Sequence, residues 1–402
     1  MQTHSERLQI VKLQIKNFAQ IASLDFDLGN VGDLTMIVGP QATGKSLALQ
    51  WLKLTCDRLV VREDLERFGF DWSDISQFID LYFGEGMRSG YRPAGNHVTT
   101  VALDGKSLDL SKIDQKPRGR RPSEDVNKSA STYYIPAHRS LLLAEGWPKL
   151  FQQYSTDTPY VARKASESLN ALLLRLPSKS DVFPQSNRLQ ASLRTQIDNA
   201  VFHGNTVRTD ASLGKKRLVL STKDGSNIPF MAWTAGQREF VPLMLALYEL
   251  LPPSKVSRLD DYETVILEEP ELGLHPQAIM AVMQMVFHLL ARKYRVVIST
   301  HSTLLLECAW AMQRMKNTGA TAAQLCNAFG LPTSAKDIAT AALASNVRAY
   351  HLDYTPAGTV SSQDISSLDL FDESPDVAGW GGLVTFSEKL GNAVATAMAG
   401  SK

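Results

Sequence analysis

The chain has 402 residues, of which 44% are hydrophobic and 21% charged, with a formal net charge of +1. This composition is typical of a soluble globular protein and gives no overall electrostatic attraction to nucleic acid or anionic membranes. Three cysteines, Cys56, Cys308 and Cys326, form neither a C-x-x-C motif nor a disulfide framework, so we expect a reducing cytoplasm. The N-terminus lacks a signal-like apolar stretch, and no apolar run is long enough to span a membrane.

The first part of the chain predicts strands around a glycine-rich loop. Alternating apolar residues between Leu8 and Leu28 predict two strands. The apolar run 34–38 predicts a buried strand, and 47–54 predicts a helix. The loop between them fits the pattern G-x-x-x-x-G-K-S with the residues Gly39, Pro40, Gln41, Ala42, Thr43, Gly44, Lys45 and Ser46.

This strand–loop–helix context predicts nucleoside triphosphate binding. Backbone N–H groups and the helix N-terminus would face the phosphates, and Lys45 would neutralise the outer ones. The Ser46 hydroxyl would bind Mg²⁺. A glycine turn with a chance Lys-Ser pair is the alternative, and the flanking elements argue against it.

The middle of the chain changes character several times. Residues 97–103 and 133–136 predict strands, and the polar segment 105–130, with Arg118, Arg120 and Arg121, predicts a basic surface loop. The segment 141–204 predicts a helical lobe interrupted by prolines.

The second half of the chain predicts a hairpin followed by alternating helices and strands. Residues 217–222 and 228–231 flank Asp224-Gly225, which favours a hairpin. The helices 236–251 and 276–293 and the strands 263–268 and 295–299 follow. Strands separated by helices predict a parallel sheet with helical cover.

Three further motifs lie at element ends. The strand 263–268 leads into Glu268 and Glu269, which predict one carboxylate for Mg²⁺ and one to deprotonate a water; an exposed acidic turn is the alternative. Thr234 and Gly236 at a helix start suit either a second phosphate site or a simple N-cap. His301 follows the strand 295–299 and could be catalytic or structural.

Together these motifs resemble the ABC-type ATPase superfamily, in its soluble branch of RecF, SMC and OLD-like proteins. Trp233-Thr234-Ala235-Gly236-Gln237 stands where that family has L-S-G-G-Q. Residues 267–276, LEEPELGLHP, are similar to the E-E-P-E-x-x-L-H-P stretch of OLD-like members, and 134–140, YIPAHRS, to their Y-I-P-A-x-R-S segment. Ser299-Thr300-His301-Ser302 fits the switch histidine, and Trp380-Gly381-Gly382-Leu383 is also similar.

The resemblance implies an α/β P-loop NTPase of ABC type, with a mixed sheet under helical cover, an N-terminal antiparallel part and a short helical lobe. It implies ATP and Mg²⁺ as ligands, Ser46 and Glu268 on the metal, Glu269 as general base and His301 as γ-phosphate sensor. Thr234, Gly236 and Gln237 would contact nucleotide bound to a partner subunit. Trp-Thr replaces the family's Leu-Ser, but the threonine keeps the hydroxyl. The metal-binding glutamine has no clear equivalent, and His138, Arg139 or Gln77 could stand in its place.

Spacing separates this chain from other members of the superfamily. The 188 positions between Ser46 and Thr234 exceed the spacing of transporter subunits, and 141–204 is too short and proline-broken for an SMC coiled coil. We therefore predict a single ATPase head over 1–402, with the basic loop 105–130, the inserted lobe 141–204 and a C-terminal completion over 310–402. The acidic residues after His301 are scattered, which favours completion of the fold over a nuclease domain.

Two hypotheses of function remain. The first is an ATP-hydrolysing cytoplasmic switch that dimerises around nucleotide and regulates a separate effector or a DNA transaction, as in bacterial anti-phage defence or repair. The second is a nucleotide-gated scaffold with negligible turnover. The basic clusters at 118–121 and 215–217 could contact DNA, although charged loops are commonly only solvated. No membrane partner is expected.

Overall fold

The computed structural model describes residues 11–112, 130–212, 214–252, 259 and 261–400. The strands in these residues are β1 (Lys12–Phe18), β2 (Ile21–Asp27), β3 (Leu34–Val38), β4 (Thr100–Leu103), β5 (Lys106–Ser107), β6 (Thr132–Ile135), β7 (Leu143–Ala144), β8 (Trp147–Pro148), β9 (Asp181–Phe183), β10 (Thr206–Asp210), β11 (Arg217–Ser221), β12 (Asn227–Pro229), β13 (Thr264–Glu268), β14 (Arg295–Ser299), β15 (Val347–Tyr354) and β16 (Val360–Asp364). The helices are α1 (Lys45–Arg67), α2 (Ile75–Phe83), α3 (Tyr160–Leu174), α4 (Ala191–Ile197), α5 (Ala235–Leu250), α6 (Pro276–Ala291), α7 (Thr303–Asn317), α8 (Ala322–Ala328), α9 (Lys336–Ala344), α10 (Pro375–Ala378) and α11 (Thr385–Gly400).

A mixed sheet organises the fold. In the described part of the chain ten strands form it, in the order β5-β4-β1-β2-β16-β15-β3-β14-β13-β6. The half from β15 to β6 is parallel, whereas β5, β4, β1 and β2 pair antiparallel. β16 joins the halves, since it runs antiparallel to β15 and parallel to β2. The predicted α/β fold with an N-terminal antiparallel part is confirmed.

Helices cover both faces of the parallel half, and β3 shows why. All five of its residues are buried. Leu34, Met36 and Val38 pack in one core with α5, α6 and α7, while Ile37 packs in the other with α1 and α2. Because successive side chains of a strand point to opposite faces, a strand between two cores is buried on both faces; its one polar residue, Thr35, donates its hydroxyl to the Leu28 carbonyl. The carboxyl ends of β3, β14, β13 and β6 therefore meet at one edge, where ligands bind in such folds.

The segment 141–204 differs from the predicted helical lobe. It contains α3 and α4, but also the short hairpin of β7 and β8 and the strand β9. β9 is the edge of a second sheet, in the order β12-β11-β10-β9. Gly146 makes the hairpin possible, because its φ is +86° and a Cβ there would lie 2.9 Å from Phe230 Cβ.

Predicted boundaries elsewhere agree with the observed elements to within a few residues, except that α1 extends far beyond the predicted 47–54. The Asp224-Gly225 hairpin forms between β11 and β12. Strands β15 and β16 belong to the main sheet. Arg118, Arg120 and Arg121 lie outside the described residues. None of the helices in the described ranges is both long and apolar enough to cross a membrane.

Candidate functional site

The phosphate loop joins the end of β3 to the start of α1, and its neighbours shape it closely. Gly39 has a φ of +148°, and a Cβ there would clash with the carbonyl oxygen of Leu352 on β15. Only glycine fits that position. At the tip of the loop, the Ala42 carbonyl accepts hydrogen bonds from Gln20 Nε2 and from the Tyr354 hydroxyl, each at 2.9 Å. The loop is therefore held by the turn between β1 and β2, which precedes it in the sequence, and by the end of β15, which follows it.

Helix α1 begins in a form suited to an anion. Gly44 occupies the N-cap position with a φ of +85°. Because it has no side chain, it does not cap the first N–H groups of α1. Lys45 Nζ lies back across the loop and donates to the carbonyl oxygens of Gly39 at 2.9 Å and Pro40 at 2.8 Å. Ser46 is half-buried beside it.

The Lys45 ammonium is a buried cation surrounded by acids. Burial lowers its pKa to about 8, and nearby Glu269, Glu271 and Glu268 oppose this by favouring the charged form. The structure thus brings the predicted phosphate-binding lysine and the two predicted carboxylates together. They are more than 200 residues apart in sequence, and the parallel pairing of β3, β14 and β13 joins them.

Glu268 ends β13 as a buried carboxylate. Its Oε2 accepts hydrogen bonds from the Tyr134 hydroxyl at 3.1 Å and the Ala137 N–H at 3.3 Å. Both donors come from the end of β6 or the loop after it, because β6 pairs with β13 in parallel register. The motif at 134–140 therefore supports the carboxylate of the neighbouring strand.

Glu269 follows immediately in an unusual backbone conformation, with φ at +43°. Its N–H donates to the Ser299 carbonyl at 2.9 Å, and its Oε1 lies 3.3 Å from His301 Nε2. The hydrogen bond from His301 lowers the pKa of the Glu269 carboxyl, whereas partial burial raises it. The charges of Lys45 and His138 lower this pKa further. The left-handed turn thus directs Glu269 and its neighbour Glu268 to different partners, although the two residues are adjacent.

Glu271 is a site residue that the sequence analysis missed. Its Oε1 accepts hydrogen bonds from Thr300 Oγ1 at 2.6 Å and from the His301 N–H at 2.8 Å. It therefore fixes the backbone of His301 from the loop that carries Glu269. The E-E-P-E string contained this signal, since a third acid lies only two positions beyond the predicted base.

The three candidates for the missing glutamine occupy different environments. Arg139 is fully buried and donates to backbone carbonyls. Gln77 lies in α2, where its side-chain oxygen accepts from the Ser73 N–H at 2.9 Å. His138 is exposed, has a φ of +48°, and lies near enough to Glu269 to lower its pKa. Of these three residues, His138 is the one with a side chain available at this edge.

The signature residues form the start of α5. Thr234 Oγ1 accepts from the Gln237 N–H at 3.2 Å, and Gln237 Oε1 accepts from the Thr234 N–H at 3.3 Å, which makes a capping box. Gln237 Nε2 donates to the Val201 carbonyl at 3.2 Å. A Cβ on Gly236 would lie 3.0 Å from the Gly273 carbonyl oxygen. Within one chain these residues cap a helix; nucleotide contact from a partner subunit stays a prediction.

The C-terminal Trp-Gly-Gly segment packs beside the phosphate-loop strand. Trp380 Nε1 donates to the Leu368 carbonyl at 3.3 Å, and a Cβ on Gly381 would clash with the His351 ring of β15. His351 is opposite Val38 in the pairing of β15 with β3. The glycine is required because no side chain fits over the imidazole at a φ of +66°.

The arrangement fits a nucleotide with its Mg²⁺. Two buried polar atoms at this edge, Ser299 Oγ and Glu271 Oε2, have no hydrogen-bond partner in the described structure. Ser46 and Glu268 supply oxygen ligands of the kind that Mg²⁺ prefers. The described residues hold no group of three or more His, Cys, Asp or Glu side chains arranged to bind a metal. A phosphate-loop metal needs no such group, because water and phosphate oxygens complete its coordination.

Residues 220–307 match the protein family described as "AAA domain, putative AbiEii toxin, Type IV TA system". The matched segment contains the signature residues, Glu268, Glu269 and His301. It confirms the predicted relationship to ATPases of this class. A search of curated proteins finds no match.

Two solved structures are similar to the chain at low identity. The SMC head domain from Thermotoga maritima is 13% identical, with a TM-score of 0.35, over 89% of this chain and 98% of that one. An SmcHead bound to the C-winged helix domain of ScpA is 11% identical, with a TM-score of 0.37, over 89% of this chain and 97% of that one.

Proposed function

We propose that this chain hydrolyses ATP with Mg²⁺ and acts as a nucleotide-dependent switch. The observation that carries the proposal is the contact between Glu269 and His301 beside the buried Lys45. The Glu269 carboxylate is ionised at neutral pH and lies beside the phosphate loop, so it can accept a proton from a water placed there. A scaffold that only binds nucleotide has no need for such a group.

The residues divide the chemistry among them. Lys45 and the N–H groups of the loop would hold the phosphates, while Ser46 and Glu268 would hold the metal. When bound, Mg²⁺ would offset the phosphate charge. Glu269 would orient the attacking water and take its proton, and His301 would hold Glu269 in place. Glu271 would hold His301 in position by accepting a hydrogen bond from the His301 N–H.

The switch function rests on the position of the signature. Within one chain, Thr234 caps its own helix and Gly236 packs against Gly273. We propose that both residues also complete the nucleotide site of a second copy. ATP would then join two chains and hydrolysis would release them, which could signal to a separate effector or to DNA. Anti-phage defence in a bacterial cytoplasm is the setting we propose.

Replacing Glu269 with Gln tests the catalytic part. The amide is similar in size but cannot accept the proton, so we expect turnover to fall by about 100-fold or more while ATP still binds. Steady-state phosphate release and equilibrium ATP binding would be measured on the same preparation. Asp337→Asn serves as a control, because it changes a carboxylate at the start of α9. Unchanged turnover in the Glu269 variant would show that Glu269 is not the base.

We also propose that the chain itself does not cleave DNA and acts through its partner. Two-metal cleavage requires several carboxylates close together, and Glu268 and Glu269 serve ATP in this proposal. Incubation with Mg²⁺ or Mn²⁺ and plasmid, linear or single-stranded DNA should leave the DNA intact. Cleavage that persists in the Glu269→Gln protein but is lost when Asp369 or Asp372 is changed would contradict this.

A further inference from the structure

Arg139 is a fully buried arginine at the centre of the site, and its hydrogen bonds have an unusual distribution. It begins a short 3₁₀ helix, Arg139–Leu142, after β6, and its exposed fraction is 0%. Its ion pair with a carboxylate is long, since Glu239 Oε2 is 3.8 Å from Nη2. Its shorter contacts are all to backbone carbonyl oxygens. The guanidinium therefore holds main chain rather than a single acidic side chain.

Most of these carbonyls belong to the loop that carries the proposed base. Nη1 donates to the oxygens of Glu268 at 3.0 Å and Glu269 at 3.3 Å. Nη2 donates to the oxygens of Glu269 at 3.3 Å and Pro270 at 3.4 Å. Three consecutive peptide groups are thus held by one planar side chain. Bonds from a charged donor to carbonyls are among the stronger hydrogen bonds in proteins.

The same loop is held in a conformation that it would not adopt freely. Glu269 is a non-glycine residue at a φ of +43°, and such a conformation persists only where the surroundings enforce it. Ser299 fixes this turn from one side by accepting the Glu269 N–H, and Arg139 fixes it from the other by donating to the Glu269 carbonyl. Loss of either contact would free the side chain of Glu269 to leave its place beside His301.

Arg139 also connects this loop to the signature helix. Its Nε donates to the Glu239 carbonyl of α5 at 3.1 Å, one and a half turns beyond Thr234. The neighbouring Ser140 hydroxyl donates to Glu239 Oε1. A shift of α5 would therefore be transmitted through one rigid guanidinium to the backbone of Glu268 and Glu269.

We infer that Arg139 is a positioning residue, which holds the catalytic base in its left-handed turn and couples that turn to the signature helix. The inference rests on the proposed ATPase function. It requires the fork of five N–H donors that arginine has and lysine lacks, since one ammonium cannot reach all three backbone segments that Arg139 contacts, at Pro136, Glu239 and 268–270. The substitution Arg139→Lys therefore keeps the charge and removes the geometry.

The chain offers a matched control in Arg292, which is also buried and bonded to backbone carbonyls. Arg292 donates to Leu250 at 2.8 Å and Pro252 at 2.9 Å, where α5 ends, and has no contact with the loop of Glu269 in the described structure. Arg292→Lys should cost stability in the same way as Arg139→Lys. It should leave turnover per folded molecule unchanged.

The experiment measures kcat and the equilibrium Kd for ATP on wild-type, Arg139→Lys and Arg292→Lys proteins. We expect kcat of the Arg139 variant to fall by about 10- to 100-fold, because small misplacements of a catalytic group have effects of that size. Its Kd should stay within about threefold, because Lys45 and the phosphate loop are untouched. Arg292→Lys should match wild type in both.

The outcomes separate this inference from the proposed function. No turnover in the wild-type protein would overturn the ATPase proposal itself. Wild-type turnover with an unchanged kcat in Arg139→Lys, or an equal loss in Arg292→Lys, would overturn the role of Arg139 alone. If Arg139→Lys does not fold, Arg139→Gln takes its place, because its amide is neutral and keeps only two N–H donors. That variant should lose kcat with an unchanged Kd, and full retention of kcat would contradict the role of Arg139.

Discussion

Lys45 has two opposing influences on its charge. Burial disfavours the ammonium, whereas Glu268, Glu269 and Glu271 favour it, and the net result is a pKa of about 8. The side chain is then charged at neutral pH and loses its proton not far above it. Bound phosphates would add negative charge and raise that pKa again, so nucleotide binding and protonation of Lys45 should be linked.

We therefore predict that the protonation of Lys45 makes ATP affinity nearly independent of pH below about pH 8 and weakens it at higher pH. Above pH 8 the free protein holds a neutral Lys45, so binding must take up a proton, and affinity should fall by at most about tenfold per pH unit. Isothermal titration calorimetry at pH 7 and pH 9, each in two buffers of different ionisation enthalpy, would count the protons. Equal proton uptake at both pH values would contradict the assignment to Lys45.

Helix α1 shows how one element carries both the site and part of the stability. It changes direction at Asp57, whose φ and ψ of −122° and 28° are not helical. Asp57 Oδ2 lies 2.7 Å from Lys53 Nζ, and its Oδ1 accepts from the Ser131 N–H at 2.7 Å. Both side chains of the pair are buried. The kink therefore anchors α1 to the start of β6, which in turn positions the loop of Arg139.

We predict that Asp57→Ala lowers the free energy of unfolding by about 3–5 kcal/mol, because it leaves the Lys53 ammonium buried without its partner. Glu66→Ala, which breaks the more exposed pair of Arg62 and Glu66 on the same helix, should cost about 1 kcal/mol or less. Urea unfolding of both variants would measure the difference. If both variants lose about 1 kcal/mol or less, the buried pair of Lys53 and Asp57 contributes no more to stability than the exposed pair.

Burial would raise the pKa of Asp57, but the charge and hydrogen bond of Lys53 and the donors at Ser131 and Thr132 lower it overall. A carboxyl with a lowered pKa in the folded state stabilises the fold above its unfolded pKa and loses that contribution as the pH falls through the folded value. The Asp57 contribution should therefore be complete at neutral pH and disappear only under acid conditions.

At the scale of the whole molecule, the site of one chain is incomplete in the proposed mechanism. The phosphate loop, the carboxylates and His301 meet at one edge of the sheet, whereas Thr234 and Gly236 make their contacts with α5 and Gly273. We predict that ATP joins two copies, and that Glu269→Gln accumulates the pair because hydrolysis no longer separates it. Light scattering should give twice the monomer mass with ATP and the monomer mass without it.

A rate of hydrolysis per chain that does not change with protein concentration, measured on a species of monomer mass, would exclude this composite site. Thr234→Ala offers a second test, because it removes the hydroxyl but keeps Lys45 and Glu269 in place. It should weaken ATP-dependent pairing more than ATP binding. An equal effect on both would indicate that Thr234 acts only as the cap of α5.

The amino-acid sequence alone determined the local parts of this protein. The strand, glycine loop and helix around Lys45 are contiguous, and β13 with its two acids is a single apolar run, so periodicity and residue type predict them directly. The hairpin around Asp224-Gly225 was predictable for the same reason. The prediction of helix over 141–204 was wrong for the short strands β7, β8 and β9. Glycine and proline lie in or beside these strands, although the composition of the segment favours helix.

Only the tertiary structure decided which distant segments meet. β15 lies beside β3 although about three hundred residues separate them, and its Leu352 carbonyl leaves room for nothing larger than Gly39. The parts played by Arg139 and Glu271 arise in the same way, since the bonds of one guanidinium to three consecutive carbonyls leave no pattern in the sequence. Periodicity reports which face of an element is buried, but not which partner buries it, because that depends on how the elements pack.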